Sequence, residues 1–378
     1  MLCSLRALAS SMVCLHGAGM TNAFTTSGLF GTLLRDPSTA DAFSSAAFLQ
    51  HAVVFEVAWA ETLVSLGAVE PEDGDAAIAA IKGTVLDMDA LGISSDINGL
   101  PIPELVAQLR KDLPEPQAKA IHTGTTSQDV IDTVMVLTLL GLLDSFEARL
   151  TTLVAALTEL SQHTKGHLMG RTRMQAALPI PVAMRVRSWV GPLRDHQERL
   201  DGLRAQVGQV QLGGPVGLRD FPKGQGDAAA TELARRLGLR MGPVWHSNRT
   251  PMLDLGHWMT LVTGSLGKLG QDIALMAQQG IDDIKLDGGG ASSAMPHKQN
   301  PVLAEALVTL ARFVGIQQGG LAQAMVHEQE RSGAAWALEW LILPAMAEAT
   351  GAALNQAIRL IDQIVRIGPD IPQPEKPD

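Results

Sequence analysis

The sequence predicts an all-α protein built around a bundle of long helices. Three observations carry that expectation. Ala and Leu abound, Tyr is absent and long β-branched runs are scarce, a composition that favours helix. Several stretches exceed the length of an ordinary globular helix and keep apolar residues on one face; Val262, Leu269, Ile273 and Met276 are an example. The 378 residues are too many for one small core and suit two or three domains.

In chain order, residues 1–19 are read as a disordered extension, with Met20 beginning the ordered protein. Arg6 followed by Ala7 to Leu15 has the outline of a weak signal peptide, but Ser10 and Ser11 interrupt its apolar region. Residues 41–67 read as an amphipathic helix, with Phe43, Ala47, Val54, Ala58 and Leu63 available for burial. Pro71-Glu72-Asp73-Gly74 is expected to break it, and residues 75–88 form a second candidate. Asn98-Gly99-Leu100-Pro101-Ile102-Pro103 is a turn by composition. A short helix over residues 104–111 ends before Pro114 and Pro116, and there a first domain, residues 20–113, gives way to a larger one, residues 114–335. The larger domain is expected to hold long helices over residues 127–165, with an irregularity at Gly141, then over 181–210, over 255–279, and from Pro301 to about 330. Pro301 suits the first turn of a helix, where its missing N–H leaves no bond unmade. Residues 336–378 supply one helix, about 339–367, and a Pro-rich tail. Bundling is the simplest way to bury several such stripes together. Broad apolar faces on long helices also predict self-association.

The formal net charge is -10 with no basic block, so nucleic acid and anionic membrane are poor partners. No uninterrupted apolar stretch approaches the length needed to cross a bilayer. The two cysteines, Cys3 and Cys14, frame neither a disulfide scaffold nor a metal site, which fits a reducing cytoplasm. No cofactor is indicated: His-Glu-x-x-His, a phosphate loop and a dinucleotide fingerprint are all missing. Asp282, Asp283 and Asp287, beside Lys285, read as a solvated loop rather than a cation site.

Three segments concentrate chemistry. Gly288-Gly289-Gly290-Ala291-Ser292-Ser293-Ala294-Met295-Pro296-His297-Lys298-Gln299-Asn300-Pro301 crowds small hydroxyls, a lysine and an asparagine beside three glycines. It reads either as a polar helix connection or as an active loop in which Ser292 moves a proton and Lys298 and Asn300 hold a carboxylate. His122-Thr123-Gly124-Thr125-Thr126-Ser127-Gln128-Asp129 precedes the first long helix, so its hydroxyls can cap that helix or face an anion at its positive end. Gly170-Arg171-Thr172-Arg173-Met174-Gln175 carries two arginines that point alike on extended backbone and diverge on a helix.

The run from Ala291 to Pro301 resembles the signature of the fumarase/aspartase superfamily, Gly-Ser-Ser-x-Met-Pro-x-Lys-x-Asn-Pro, with Ala291 in place of its leading glycine. The segment around Thr125 resembles that superfamily's carboxylate-binding Gly-x-Thr-Ser-x-Asp pattern. The segment from Gly170 to Gln175 resembles its Gly-Arg-Thr-His-x-Gln pattern, except that Arg173 stands in the His position. Members that expel an amine or a hydroxide-like group use that His in handling protons, because such anions are very basic. A departing carboxylate needs no proton, which frees the position for a cation. The departure resembles the carboxymuconate cycloisomerase branch of the superfamily. So do Pro243-Val244-Trp245-His246-Ser247-Asn248-Arg249, the Glu-rich stretch His327 to Trp336, residues 20–30 and the turn at 98–103. No His-Asp pair lies near residue 90, which argues against adenylosuccinate lyase. The resemblance covers most of residues 20–350.

What the resemblance implies is an all-α, fumarase/aspartase-like fold, a homotetramer whose sites each draw on three subunits, a small polycarboxylate substrate and no cofactor. The implied reaction adds one carboxylate of a tricarboxylate diene to its own double bond, giving a γ-lactone. Ser292 would deliver the proton to carbon, with Lys298 and Asn300 holding the carboxylate that takes up charge. Thr125, Thr126 and Ser127 would support them, and Arg173 would bind a remaining carboxylate. His122 belongs either with the proton-handling groups or with the capping network. Arg171, Gln175, His246, Ser293, Met295, Glu330 and Arg331 complete the expected substrate contacts. The competing reading is a lyase of the same superfamily that eliminates fumarate from a succinyl compound such as adenylosuccinate.

Overall fold

The computed structural model describes residues 31–291, 295 and 298–369. The expected extension over residues 1–19, the start at Met20, Ser292, Ser293 and the tail beyond residue 369 lie outside the described residues. The fold is all-α, with three small two-stranded sheets at its edges.

The chain enters through two short helices, α1 (Gly31–Leu34) and α2 (Pro37–Ala42), and then α3 (Ser45–Ser65). The single helix expected over residues 41–67 therefore begins later. Ser44 sits on extended backbone and caps α3, accepting the Ala47 N–H at 3.2 Å. Pro71, expected as a breaker, instead opens α4 (Pro71–Gly83), where proline's fixed φ suits the first turn. A helix not anticipated from sequence, α5 (Met88–Asn98), is capped by Asp87 and stopped by Gly99 at φ 75°. Then come α6 (Ile102–Arg110) and the single turn α7 (Glu115–Ala118). Phe55, Trp59, Leu63, Ile81, Leu105 and Leu109 meet Val130 and Val134 of the next helix in one apolar cluster.

That next helix, α8 (Ser127–His163), runs unbroken through Gly141. Its 37 residues span about 55 Å at 1.5 Å per residue. A hairpin not anticipated from sequence follows, β1 (His167–Thr172) against β2 (Gln175–Pro181). Two helices, α9 (Val182–Glu198) and α10 (Leu200–Val207), replace the one expected over 181–210. The break at Arg199 lets Leu200, Leu203 and Val207 turn into the bundle core. A further helix, α11 (Gly226–Leu237), docks on α3 through Arg236 and Glu61, 2.5 Å apart.

The bundle is completed by α12 (Thr250–Met276), α13 (Val302–Gln323) and α14 (Ala334–Asp362). Between α12 and α13 lie β3 (Ile284–Leu286), β4 (Gly290–Ala291) and β5 (Gln299–Asn300). The strand β6 (Ile364–Ile367) replaces the expected last turn of the final helix and pairs antiparallel with β3. Asp283, read as part of a solvated loop, is buried beside that pair, and burial pushes its carboxyl up against the pull of Arg171, Arg185 and Arg366. Leu143, Leu150, Val262, Leu266, Leu307, Val314, Leu343 and Leu354 are fully buried in the shared core. Each such side chain contributes about 1.5–3 kcal/mol of hydrophobic stabilisation.

By length and mean hydropathy α3 and α14 reach membrane-spanning size, although polar residues interrupt both. Half of the α3 window and 61% of the α14 window are buried within the protein, and each helix holds an internal carboxylate, Glu56 and Glu339. That is the pattern of core helices.

Candidate functional site

The loop before α8 is held at every turn by side chains from the N-terminal helices. Arg110 of α6 donates to the Ile121 carbonyl at 2.5 Å and to the Thr123 hydroxyl at 3.2 Å. Trp59 of α3 donates its indole N–H to the Thr123 carbonyl at 3.0 Å. Glu56, also on α3, accepts the His122 backbone N–H at 2.9 Å and meets the His122 ring Nδ1 at 2.7 Å. The Thr125 hydroxyl donates to the His122 carbonyl at 3.0 Å. Pinned this way, His122 adopts φ 55°, a left-handed conformation that a non-glycine residue rarely takes. Gly124, at φ 83°, lies so close to Phe221 that any Cβ would overlap the ring.

Thr126 is the N-cap of α8, and Asp129 returns to accept its N–H at 3.0 Å. The same carboxylate accepts the N–H groups of Gly213 and Gly214, at 2.8 and 2.9 Å, and meets His246 Nε2 at 2.9 Å. Asp129 is fully buried and His246 nearly so. The Arg331 guanidinium donates to the Thr126 hydroxyl at 2.9 Å and to the Pro215 carbonyl at 3.2 Å, while its Nε is buried with no hydrogen-bond partner among the described residues. His122, Thr125, Thr126, Ser127, His246 and Arg331 are thus brought together around the positive end of a very long helix. Hydroxyls, a guanidinium and a helix N-terminus are groups that can hold an anion. Glu330 precedes Arg331 and is exposed.

Beneath this cluster lies a buried ionic network. Arg249 makes two bonds to Asp132, at 2.8 and 3.0 Å, and two to Glu339, at 3.1 and 2.5 Å. Trp336, Gln128 and Gln211 donate to the remaining positions on Asp132, and the Trp245 ring lies 4.7 Å from the guanidinium. Burial works against the Arg249 charge, but the two carboxylates outweigh it and hold the group more basic than usual. Burial pushes the Glu339 carboxyl up, partly opposed by Arg249. Burial also pushes the nearby His327 imidazole down, and the Arg249 charge adds to that. The network ties α8, α12 and α14 together directly behind the N-cap. An apolar cleft of about 510 Å³ between Phe48, Met88 and Trp340 has no charged residue in its lining and is not this site.

Of the other predicted residues, Arg171, Arg173, Gln175, Met295, Lys298 and Asn300 lie at the opposite end of the bundle. Arg171 is on β1, Arg173 is in the hairpin turn and Gln175 starts β2; all three are exposed. Arg173 and Met174 have φ of 49° and 67°, so the chain turns between the arginines and they do not point alike as on a continuous strand. Lys298 and Met295 are exposed, and the Lys298 N–H donates to the Met295 carbonyl at 3.0 Å. Asn300 pairs with Gly290 in the β4–β5 ladder. The full length of α8 separates the hairpin from the His122 cluster, about 55 Å, and the Gly-rich loop stands at the hairpin's end of the bundle. One chain therefore does not bring its two sets of predicted residues together.

Sequence reasoning missed Glu56, Trp59 and Arg110. The available signal was Glu56 itself, a carboxylate set between Phe55 and Val57 inside the otherwise apolar run from Ala52 to Ala60.

Residues 24–315 match the lyase family. The chain is 30% identical over 345 residues to the 3-carboxy-cis,cis-muconate cycloisomerase of Acinetobacter baylyi, covering 89% of this chain and 76% of that one. It is 34% identical over 341 residues to the enzyme of the same name from Pseudomonas putida, covering 88% and 81%. The crystal structure of the Pseudomonas putida 3-carboxy-cis,cis-muconate lactonizing enzyme superposes with a TM-score of 0.83 at 32% identity, over 90% of this chain and 77% of that one.

Proposed function

The chain belongs to the lyase family within the fumarase/aspartase superfamily, and on that premise we propose that it is a cycloisomerase interconverting 3-carboxy-cis,cis-muconate and 4-carboxymuconolactone. This is a step in the catabolism of aromatic compounds. One carboxylate oxygen of the tricarboxylate diene attacks the substrate's own double bond, forming the lactone C–O bond. The displaced π electrons move toward the carbon beside another carboxylate, which becomes a dianionic aci-carboxylate until that carbon takes a proton. Barrier lowering therefore requires fixed positive potential at a carboxylate and a proton donor over the adjacent carbon.

The observation that carries the reading is the anion site at the start of α8, where Thr125, Thr126, Ser127 and Arg331 surround a helix N-terminus. In this scheme Ser292 delivers the proton, Lys298 with Asn300 stabilises the aci-carboxylate, and loop closure, backbone N–H groups and Lys298 stabilise the serine alkoxide. Arg173 holds the third carboxylate, and Arg171, Gln175, Ser293, Met295, His246 and Glu330 complete the pocket. His122 is the second proton-handling group.

These groups belong to opposite ends of one chain, so the working site requires the far end of one subunit at the N-cap end of another. A homotetramer with sites shared between subunits satisfies that requirement, and the reaction is assigned to the cytoplasm. No cofactor is required, since nucleophile and electrophile belong to one substrate.

The test is to mix purified, assembled protein with 3-carboxy-cis,cis-muconate and follow the diene absorbance. Loss of absorbance with lactone formation is expected. In the Ser292→Ala variant turnover should collapse while affinity is largely kept, since the loss falls on the transition state. Unchanged absorbance with wild-type protein, joined to fumarate release from a succinyl compound, would replace this reading by the lyase one.

A further inference from the structure

Glu56 is the least expected residue of the N-terminal unit. It sits on α3 among Ala52, Phe55, Trp59 and Ala60, and its side chain is fully buried. A carboxylate removed from water is costly unless it is paired. Among the described residues, neither Lys nor Arg forms an ion pair with it; its partner is His122 alone, through one oxygen to the backbone N–H and the other to ring Nδ1. The His122 backbone is strained at φ 55°, and Arg110 and Trp59 fix the carbonyls on either side of it. The ring is not fully enclosed, with its side chain 14% exposed. Its Nε2 makes no hydrogen bond among the described residues and is not among the buried orphans.

From this geometry we propose that Glu56 is a positioning residue. It holds His122 as the Nδ1–H tautomer, so that Nε2 keeps a free lone pair in the loop that leads into α8. A carboxylate only accepts hydrogen bonds, so Nδ1 at 2.7 Å must carry the proton. In ring opening Nε2 accepts the proton released at the reacting site and passes it to solvent; in lactonisation it takes a proton from solvent and hands it to the reacting site. The neighbouring carboxylate stabilises the imidazolium in between. Proton and charge balance within the pair: one proton enters at Nε2, none leaves Nδ1, and the same proton departs. The assignment of His122 to proton handling rests on the cycloisomerase reading; the tautomer and the role of Glu56 do not.

Glu56→Gln separates positioning from bracing. Its amide oxygen must still accept the His122 backbone N–H, so its NH2 group is turned toward Nδ1. That forces the ring into the Nε2–H tautomer, while shape, volume and both bonds are kept. We expect unchanged assembly and melting temperature, KM within about threefold, and kcat reduced about 10²- to 10⁴-fold, the range for losing a positioned acid–base group. Glu56→Asp, which keeps a carboxylate, should restore part of the loss. Solid-state 15N spectra of histidine-labelled protein read the tautomer without any substrate, and a His122→Gln sample identifies the resonance. Protonated Nδ1 in wild type and protonated Nε2 in Glu56→Gln are expected. Wild-type protein with Nδ1 unprotonated, or a Glu56→Gln variant with near-normal kcat and a switched tautomer, would overturn the proposal. A correct tautomer pattern in protein inactive on 3-carboxy-cis,cis-muconate would leave Glu56 in place and remove only the choice of substrate.

Discussion

Arg173 occupies the position at which this chain leaves the pattern of the elimination lyases, and its structure is as unusual as its identity. It lies exposed in a hairpin turn with positive φ, next to Met174 in the same state. Such turns favour Gly and Asn because a Cβ is strained there, so two long side chains at this place are a local conflict of the kind found at working sites. If Arg173 holds the third carboxylate, Arg173→Met should weaken the tricarboxylate far more than cis,cis-muconate, which lacks the extra group. Loss of a desolvated charge partner costs about 2–5 kcal/mol, or roughly 30-fold to several-thousand-fold. Inhibition constants for the two muconates measured side by side decide this. Small and equal changes would return Arg173 to the solvated surface.

At the scale of elements, α1 and α2 are tied to the bundle by a buried acid. Asp36 accepts from Arg149 of α8 at 2.5 Å and from Ser38 and Thr39 at 2.7 Å each, and Arg149 also donates to the Gly351 carbonyl of α14. Burial alone would raise the Asp36 carboxyl, but bonds from Thr39, Arg149 and Ser38 and the arginine charge outweigh it and hold it below the usual value. A carboxyl lowered on folding stabilises the native state at any pH above its unfolded value, near 4. That contribution disappears as pH falls through the lower folded value. Asp36→Asn should therefore cost about 1–3 kcal/mol at neutral pH. The gap between variant and wild type should narrow below about pH 4. Denaturant midpoints across pH 3–7 would show it; a gap independent of pH would mean the carboxylate charge is not what holds these helices down.

For the whole molecule, the decisive fact is distance. Arg331 reaches the N-cap of α8, whereas Lys298 stands at the end where α13 begins. If sites are shared between subunits, Arg331→Met and Lys298→Ala should each be nearly inactive alone. Mixed assemblies, formed by co-refolding the two variants, should recover a substantial fraction of wild-type activity, because some sites then draw both intact groups from different chains. Recovery no greater than the sum of the two parents would refute the shared site. Light scattering on the same samples should give four subunits.

Much of this was legible in the sequence for local reasons. Long helices announce themselves by apolar spacing, Pro301 opens α13, and Thr126 with Asp129 marks the start of α8, all through interactions a few residues apart. Short elements were missed for the converse reason. The β1–β2 hairpin and α5 have weak local patterns and are held by packing against the bundle and the N-terminal unit. The motif segments suffice to single out His122, Thr125, Thr126, Ser127 and Arg331. Nothing in their spacing says that Arg331 crosses 205 positions to reach Thr126, or that Glu56 lies under His122 across 66. Sequence by itself determined the helical architecture and the kinds of chemical group available. Tertiary structure alone decided which groups meet, because ion pairs and hydrogen bonds depend on ångström distances that only the closed packing of distant helices sets.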